Sequence, residues 1–255
     1  MIDMFVKVCG LTDIGKLREL NEDSFRICGF EDGQPNGVCV LADGMGGHNA
    51  GEVASFKAAE LITEDLAGRL DEKDGKQVCL DIASAIDFAN SEIYKTSLRN
   101  PAQAGMGTTV VVAFVNDMLV RIANIGDSRA YVISQKRIRK ITTDHSVVEE
   151  LVKSGSITAE EARNHPDKNI ITRAVGTEEY VDADFYEYTP VGGETILLCS
   201  DGLYEMLRDK EIKNIINQYD NLNEALSALI DAANENGGVD NITVVALQFK
   251  KEENR

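Results

Sequence analysis

Four aspartates stand where an apolar stretch breaks into a turn, a place from which a carboxylate can be aimed into a cleft. Asp43 opens Asp43-Gly-Met-Gly-Gly47 directly after the apolar run Val38-Cys-Val-Leu-Ala42. Asp201 opens Asp201-Gly-Leu203 directly after Thr195-Ile-Leu-Leu-Cys-Ser200. In both, the glycine permits a sharp turn with an exposed carbonyl, so each pair offers oxygen ligands. Asp127, within Ile125-Gly-Asp-Ser-Arg129, and Asp240, within Gly237-Gly-Val-Asp-Asn241, sit at comparable junctions. A single Asp-Gly is ordinarily a turn and nothing more. Brought together, however, carboxylates repel and lose hydration, an arrangement that cations at carboxylate distance offset. Hard oxygen donors, with only three histidines in the chain, suit Mg²⁺ or Mn²⁺ rather than Zn²⁺. Arg18, in Arg18-Glu-Leu-Asn-Glu-Asp23, adds a guanidinium able to grip two phosphate oxygens at once. As an isolated arginine it would ordinarily be a solvated surface residue.

Aiming such acids requires rigid elements. Val6 to Leu11, Ser24 to Phe30 and Val38 to Ala42 read as strands, the latter two a hairpin through the turn-rich Glu31-Asp-Gly-Gln-Pro-Asn-Gly37. Two amphipathic helices follow, from Gly51 to about Arg69 and from Gly75 to about Leu98, the second with Val78, Ile82, Ala85, Ile86, Ala89 and Ile93 on one face. Thr109 to Val115, Leu119 to Ile125, Arg129 to Ser134 and Ile138 to Thr142 read as a four-strand antiparallel meander, given turns as short as Asn116-Asp117. His145 to Ser154 and Thr158 to Arg163 read as short helices in a polar insert, the second opened by a Thr158-x-x-Glu161 capping box. Here His145, Glu149 and Glu150 are expected on the helix surface. Strands return at Ile170 to Val175, Asp182 to Glu187 and Glu194 to Cys199; two helices and a last strand, Ile242 to Phe249, complete the chain. Without regular βαβ alternation, this pattern argues for antiparallel sheets covered by helices.

Composition narrows the classes. At 255 residues, with no repeat or linker, one domain is expected. No apolar run approaches the roughly 18 to 20 residues of a membrane span, and the N-terminal residues lack a signal-peptide core. Five cysteines without a C-x-x-C pair suit a reducing cytoplasm. None has an arginine six positions on, which excludes the cysteine-nucleophile loop of tyrosine phosphatases. The net charge of −17 opposes nucleic acid, although most of those acids need only solubilise the surface. Gly10-Leu-Thr-Asp-Ile-Gly-Lys16 nearly spells a phosphate-binding loop but continues with Leu17 where a hydroxyl is needed. Gly126-Asp-Ser-Arg-Ala130 nearly spells a nucleophile elbow but ends in alanine.

In order, the chain presents Arg18-x-x-Asn21-Glu-Asp23, Asp43-Gly-Met-Gly-Gly-His48, Gly107-Thr-Thr109, Gly126-Asp-Ser-Arg129, Asp144-His145, Thr172-Arg-Ala-Val-Gly176, Ser200-Asp-Gly-Leu203 and Asp240-Asn241. This succession resembles the PPM/PP2C family of metal-dependent protein phosphatases in its compact bacterial form. The resemblance implies an α+β fold, a four-layer αββα sandwich with two central antiparallel sheets flanked by pairs of helices. It implies a single domain over 1–255, with a mobile flap at approximately 144–171. It also implies two Mn²⁺ or Mg²⁺ ions and a weaker third. Asp43 would bridge the first two, Asp201 and Asp240 would complete one site, the Gly44 carbonyl would serve the other, and Asp127 with Asp201 would form the third. Glu22 and Asp23 would orient water, Asn241 would support the ligands, and Arg18 would clamp the substrate phosphate. Gly107, Thr108, Thr109, Ser128 and Arg129 are structural support in this reading. The implied reaction is attack on phosphoserine or phosphothreonine by water activated between two cations about 3.5 to 4 Å apart, without a phosphoenzyme. Animal members carry a histidine two residues after the bridging aspartate; this chain has Met45 there, which leaves His48 or water as the proton source. The implied partners are phosphorylated proteins, namely a eukaryotic-like serine/threonine kinase and its substrates, met by a monomer in the cytoplasm. The competing expectation is a phosphoprotein-binding module that keeps the fold and has weak catalysis.

Overall fold

Residues 4–30, 35–46, 50–72 and 74–251 are described by the computed structural model. Its central strands are apolar on both faces, and that pattern explains the layering. The first elements are β1 (Met4–Asp13), β2 (Asp23–Gly29), β3 (Gly37–Met45), α1 (Ala50–Ala67) and α2 (Gly75–Arg99). Asp74 caps α2 by accepting the Lys76 N–H, and Pro101 follows its end. Then come β4 (Gly107–Thr108), β5 (Val110–Asn116), β6 (Leu119–Ile125), β7 (Arg129–Ile133) and β8 (Ile138–Lys140). The insert contributes α3 (Val147–Lys153) and α4 (Ala159–Arg163), and the chain finishes with β9 (Asp184–Tyr188), β10 (Thr195–Cys199), α5 (Asp201–Tyr204), α6 (Asp209–Gln218), α7 (Leu222–Glu235) and β11 (Ile242–Lys251).

Two antiparallel sheets result, ordered β1-β11-β10-β7-β8 and β2-β3-β5-β6-β9, with β4 paired to β3. Side chains alternate across each strand, so Val38, Val40 and Ala42 of β3 pack under α1 and α2 while Cys39 and Leu41 face the opposite sheet. In β11, Val244 and Ala246 meet α6 and α7 while Val245, Leu247 and Phe249 fill the space between the sheets. Three apolar cores separating four layers make the expected αββα sandwich. No helix among the described residues is long and apolar enough to cross a membrane.

Three readings of the sequence need correction. The four-strand meander does not exist: β5 and β6 pair in one sheet, but β7 and β8 belong to the other. Gly126, at φ 96°, lets the chain leave one sheet for the other between Ile125 and Arg129. Ile170 to Val175 is not a strand; it makes only the isolated bridges Ser146 to Ile171 and Thr108 to Val175, which tie its two ends to different segments instead of to one ladder. Asp201, read as a turn, begins the short helix α5. The β2–β3 hairpin holds, with part of its connection, 31–34, outside the described residues. The Thr158–Glu161 capping box is formed.

Candidate active site

The hairpin register sets Asp23 directly across from Asp43, where its charge repels the Asp43 carboxylate. Beyond Asp43, the Gly44 N–H donates to the Glu22 carbonyl at 3.1 Å. A Cβ on Gly44 would lie 2.2 Å from the Gly51 carbonyl oxygen, so glycine alone lets the start of α1 close on the end of β3. The other side of Asp43 is clamped by β4 and β5. Its N–H donates to Thr109 Oγ1 at 3.0 Å, and its carbonyl accepts from the Thr109 N–H and the Thr108 hydroxyl, both at 2.9 Å. The Thr109 hydroxyl lies 2.8 Å from that of Ser128, which couples Asp43 to the sheet-switching turn that carries Asp127.

From the second sheet, β10 delivers Asp201 and the approach to β11 delivers Asp240. Ser200 Oγ donates to Asp23 Oδ2 at 2.8 Å and accepts the Thr243 N–H at 2.9 Å, joining the two sheets beneath the acids. Asn241, 4% exposed, accepts the Glu22 N–H at 2.8 Å and donates to the carbonyls of Ile14 and Leu20 at 2.9 and 3.0 Å. It thereby holds both ends of the loop that bears Arg18, whose Nη2 reaches Asp240 Oδ2 at 2.7 Å.

A cleft of about 220 Å³ results, lined by Arg18, Glu22, Asp43, Gly44, Asp127, Asp201, Asp240 and Asn241. Of the residues expected to hold the metals, orient water, support the ligands or clamp the phosphate, all described ones line it except Asp23, which is 7% exposed and sits behind Asp43. His48 falls outside the described residues. The electrostatics are strained. Burial, followed by repulsion from Asp23, Asp201, Asp127 and Asp240, holds the Asp43 carboxyl well above the usual carboxylate range. Burial and the facing aspartates do the same to Asp201, against the attraction of Arg18. Burial raises Asp23 and Asp127 to about 6, and it raises Glu22 despite nearby Arg18. Arg18 keeps its charge against partial burial because Asp240, Glu22 and Asp201 favour it. Among the described residues no three or more His, Cys, Asp or Glu side chains stand at the mutual spacing of a finished metal cage. Five acids and one arginine around a single cleft, with every acid donor an oxygen, nevertheless have the chemistry that suits a hard divalent cation.

The family model described as protein phosphatase 2C matches residues 16–243, a span from just before Arg18 to just beyond Asp240. The chain belongs to the protein phosphatase 2C family. It is 39% identical over 237 residues to the serine/threonine phosphatase stp of Listeria monocytogenes serotype 4b, covering 93% of each chain. The crystal structure of serine/threonine phosphatase Stp1 from Staphylococcus aureus superposes with a TM-score of 0.85 at 36% identity, over 98% of this chain and 96% of that one. The catalytic domain of the serine/threonine protein phosphatase PstP, solved in complex with two manganese ions, aligns with a TM-score of 0.83 at 32% identity, over 98% of this chain and all of the other.

In this member of the phosphatase 2C family, the insert is fastened to the site's turn. The His145 N–H donates to the Gly126 carbonyl at 2.9 Å, and the Gly126 N–H donates to His145 Nδ1 at 3.1 Å. His145 is therefore not a helix-surface residue: it is 5% exposed, and burial lowers its basicity so that Nδ1 stays free to accept. Arg129 donates from Nε and Nη2 to Asp144 at 3.0 and 2.7 Å and lies 3.5 Å above the Tyr204 ring. Tyr204 in turn donates to Asp127 Oδ2 at 3.3 Å. Sequence reasoning gave no role to Ser200, Thr243 or Tyr204. Local signals existed for two of them, Ser200 by adjacency to Asp201 in the Ser200-Asp-Gly-Leu203 motif and Tyr204 by lying three residues after Asp201, a spacing that shares a helical face.

Proposed function

We propose that this chain is a protein serine/threonine phosphatase that hydrolyses phosphoserine and phosphothreonine with the help of divalent cations held in the acidic cleft. The observation that carries this reading is the convergence of Glu22, Asp43, Asp127, Asp201 and Asp240 from both sheets on a single cleft that also contains Arg18. Asp43, Asp201, Asp240 and the Gly44 carbonyl would hold two Mn²⁺ or Mg²⁺ ions, and Asp127 with Asp201 a weaker third. Bound there, the cations would supply Lewis acidity, acidifying water and neutralising phosphoryl charge. Arg18, half-exposed at the rim, would turn its guanidinium from Asp240 toward the phosphoryl oxygens and bind them through paired N–H donors. Glu22 faces the cleft and would orient water by accepting a hydrogen bond from it. Asp23 and Asn241 act by position: one backs Asp43, and the other fixes Glu22 and the Arg18 loop. Met45 offers no proton to the leaving alkoxide, so solvent in the cleft would supply it.

This reading extends to phosphorylated proteins as substrates, including those of a eukaryotic-like kinase, and to action as a monomer. Five unpaired cysteines support a cytoplasmic setting. The domain is proposed to span 1–255, with residues 144–171 acting as a flap over the site. The test is phosphate release from a phosphothreonine peptide with Mn²⁺. Turnover is expected to vanish with chelator and to return with metal, and Asp43→Asn is expected to lose at least about 100-fold. Retained turnover in either experiment would remove the metal-assisted mechanism.

A further inference from the structure

A second depression of about 430 Å³ opens beside the catalytic cleft, and the two share Met45 and Ile171 as a common wall. Its remaining apolar surface comes from Ala174 and Val181, while the Tyr180 ring stands at its edge, 81% exposed. Its charge is one-sided. Among the described residues Arg173 is the only basic one lining it, and that guanidinium is already engaged by Asp184 at 3.0 Å and by the Asp182 carbonyl at 3.2 Å. Glu178 and Asp182 also line it, both exposed, and neither carboxylate has an ion-pair partner among the described residues. Because the groove and the cleft share the Met45 and Ile171 wall, an extended peptide with its phosphoresidue in the cleft would run on into this groove through its flanking residues.

We propose that this groove holds the segment of substrate flanking the phosphorylated residue, and that Glu178, Asp182 and Tyr180 select an arginine there. The inference rests on the phosphatase reading and adds a sequence preference to it. An arginine stem covers the apolar floor, its guanidinium pairs with the two free carboxylates, and the plane of that group stacks on an exposed aromatic ring. An acidic residue at the same place meets uncompensated like charge.

The experiment measures kcat/KM with Mn²⁺ for phosphothreonine peptides of alanine background in which one arginine is moved from four residues before the phosphothreonine to four residues after it. One or two adjacent positions on one side are expected to gain roughly 5-fold, mainly through KM, with glutamate there reducing the rate. The double variant Glu178→Gln, Asp182→Asn is expected to erase that gain. It should leave the all-alanine peptide, p-nitrophenyl phosphate and the melting temperature unchanged; Tyr180→Ala should remove part of the gain. Equal rates at all positions, or a preference that survives the double variant, would overturn the groove's role while the phosphatase reading stands. Failure to release phosphate from any peptide or from p-nitrophenyl phosphate would sink both.

Discussion

Asp240 divides its carboxylate between two neighbours, Oδ2 taking the Arg18 guanidinium at 2.7 Å and Oδ1 taking the Asn241 N–H at 2.8 Å. Arg18 is 47% exposed at its side chain and loses little by exchanging this partner for a phosphate. Arg18→Ala is accordingly expected to raise KM for a phosphopeptide about 3- to 10-fold, with a smaller change in kcat; steady-state kinetics yielding the wild-type KM would contradict the clamp. Asp201 is in the opposite condition, since its charge is opposed by burial and by Asp127, Asp240 and Asp23. Asp201→Asn removes one member of a repelling set. Its metal-free form is therefore expected to melt at or above the wild-type temperature in calorimetry while its turnover falls at least about 100-fold. A metal-free variant that melts well below wild type would mean that the acids are not in conflict.

The turn between β6 and β7 carries more than a change of sheet. It presents Asp127 to the cleft, receives the Ser128 link from Thr109, and is gripped by His145 at the root of the insert. Arg129, at the start of β7, and Asp144, 6% exposed, close that arrangement with charge-assisted bonds. Removing Arg129 would leave the buried Asp144 carboxylate only Lys140, 3.0 Å away, beside Asp127, which Asp144 already repels. Arg129→Met is expected to cost about 2 to 4 kcal/mol, measured by urea unfolding, since the better-buried of two cationic partners is lost while the carboxylate stays. A cost below about 1 kcal/mol, as at an exposed pair, would show that the insert is held by its helix contacts alone.

Across the whole molecule, two sheets from distant parts of the chain press a set of carboxyl groups together, and the resulting strain depends on pH. Asp23 and Asp127 titrate at about 6 in the folded state, against an ordinary value of 3.8, with Asp43 and Asp201 raised further in the same direction. For an acid with a raised folded pKa, the folded state binds protons more tightly than the unfolded one. That contribution to stability is complete below pH 3.8 and is lost as pH rises through about 6. In the proposed mechanism a divalent cation would take the place of the departing protons. The rise in melting temperature produced by Mn²⁺ is therefore expected to be small near pH 5 and to grow steadily toward pH 8. A scanning-fluorimetry series in which the increment is flat or shrinks with pH would show that these acids do not bind the metal.

Much of this protein is written locally. Asp-Gly pairs at the ends of apolar strands, helix faces such as Val78 to Ile93, and the Thr158 capping box depend on residues within a few positions, so they could be read along the chain before any contact was known. The family's order of motifs then assigned the acids to one site. The sequence could not say which sheet each strand would join. Turns as short as those flanking β6 look alike whether the next strand stays or crosses, because pairing is settled by apolar contacts far away in the chain. Only the folded molecule put Asp23 behind Asp43, hung Glu22 on Asn241 at a separation of 219 residues, and buried His145 beneath the insert. Residue type and spacing determined which oxygens were available, whereas the packing of one sheet on another decided which of them face the cleft and which stand behind it.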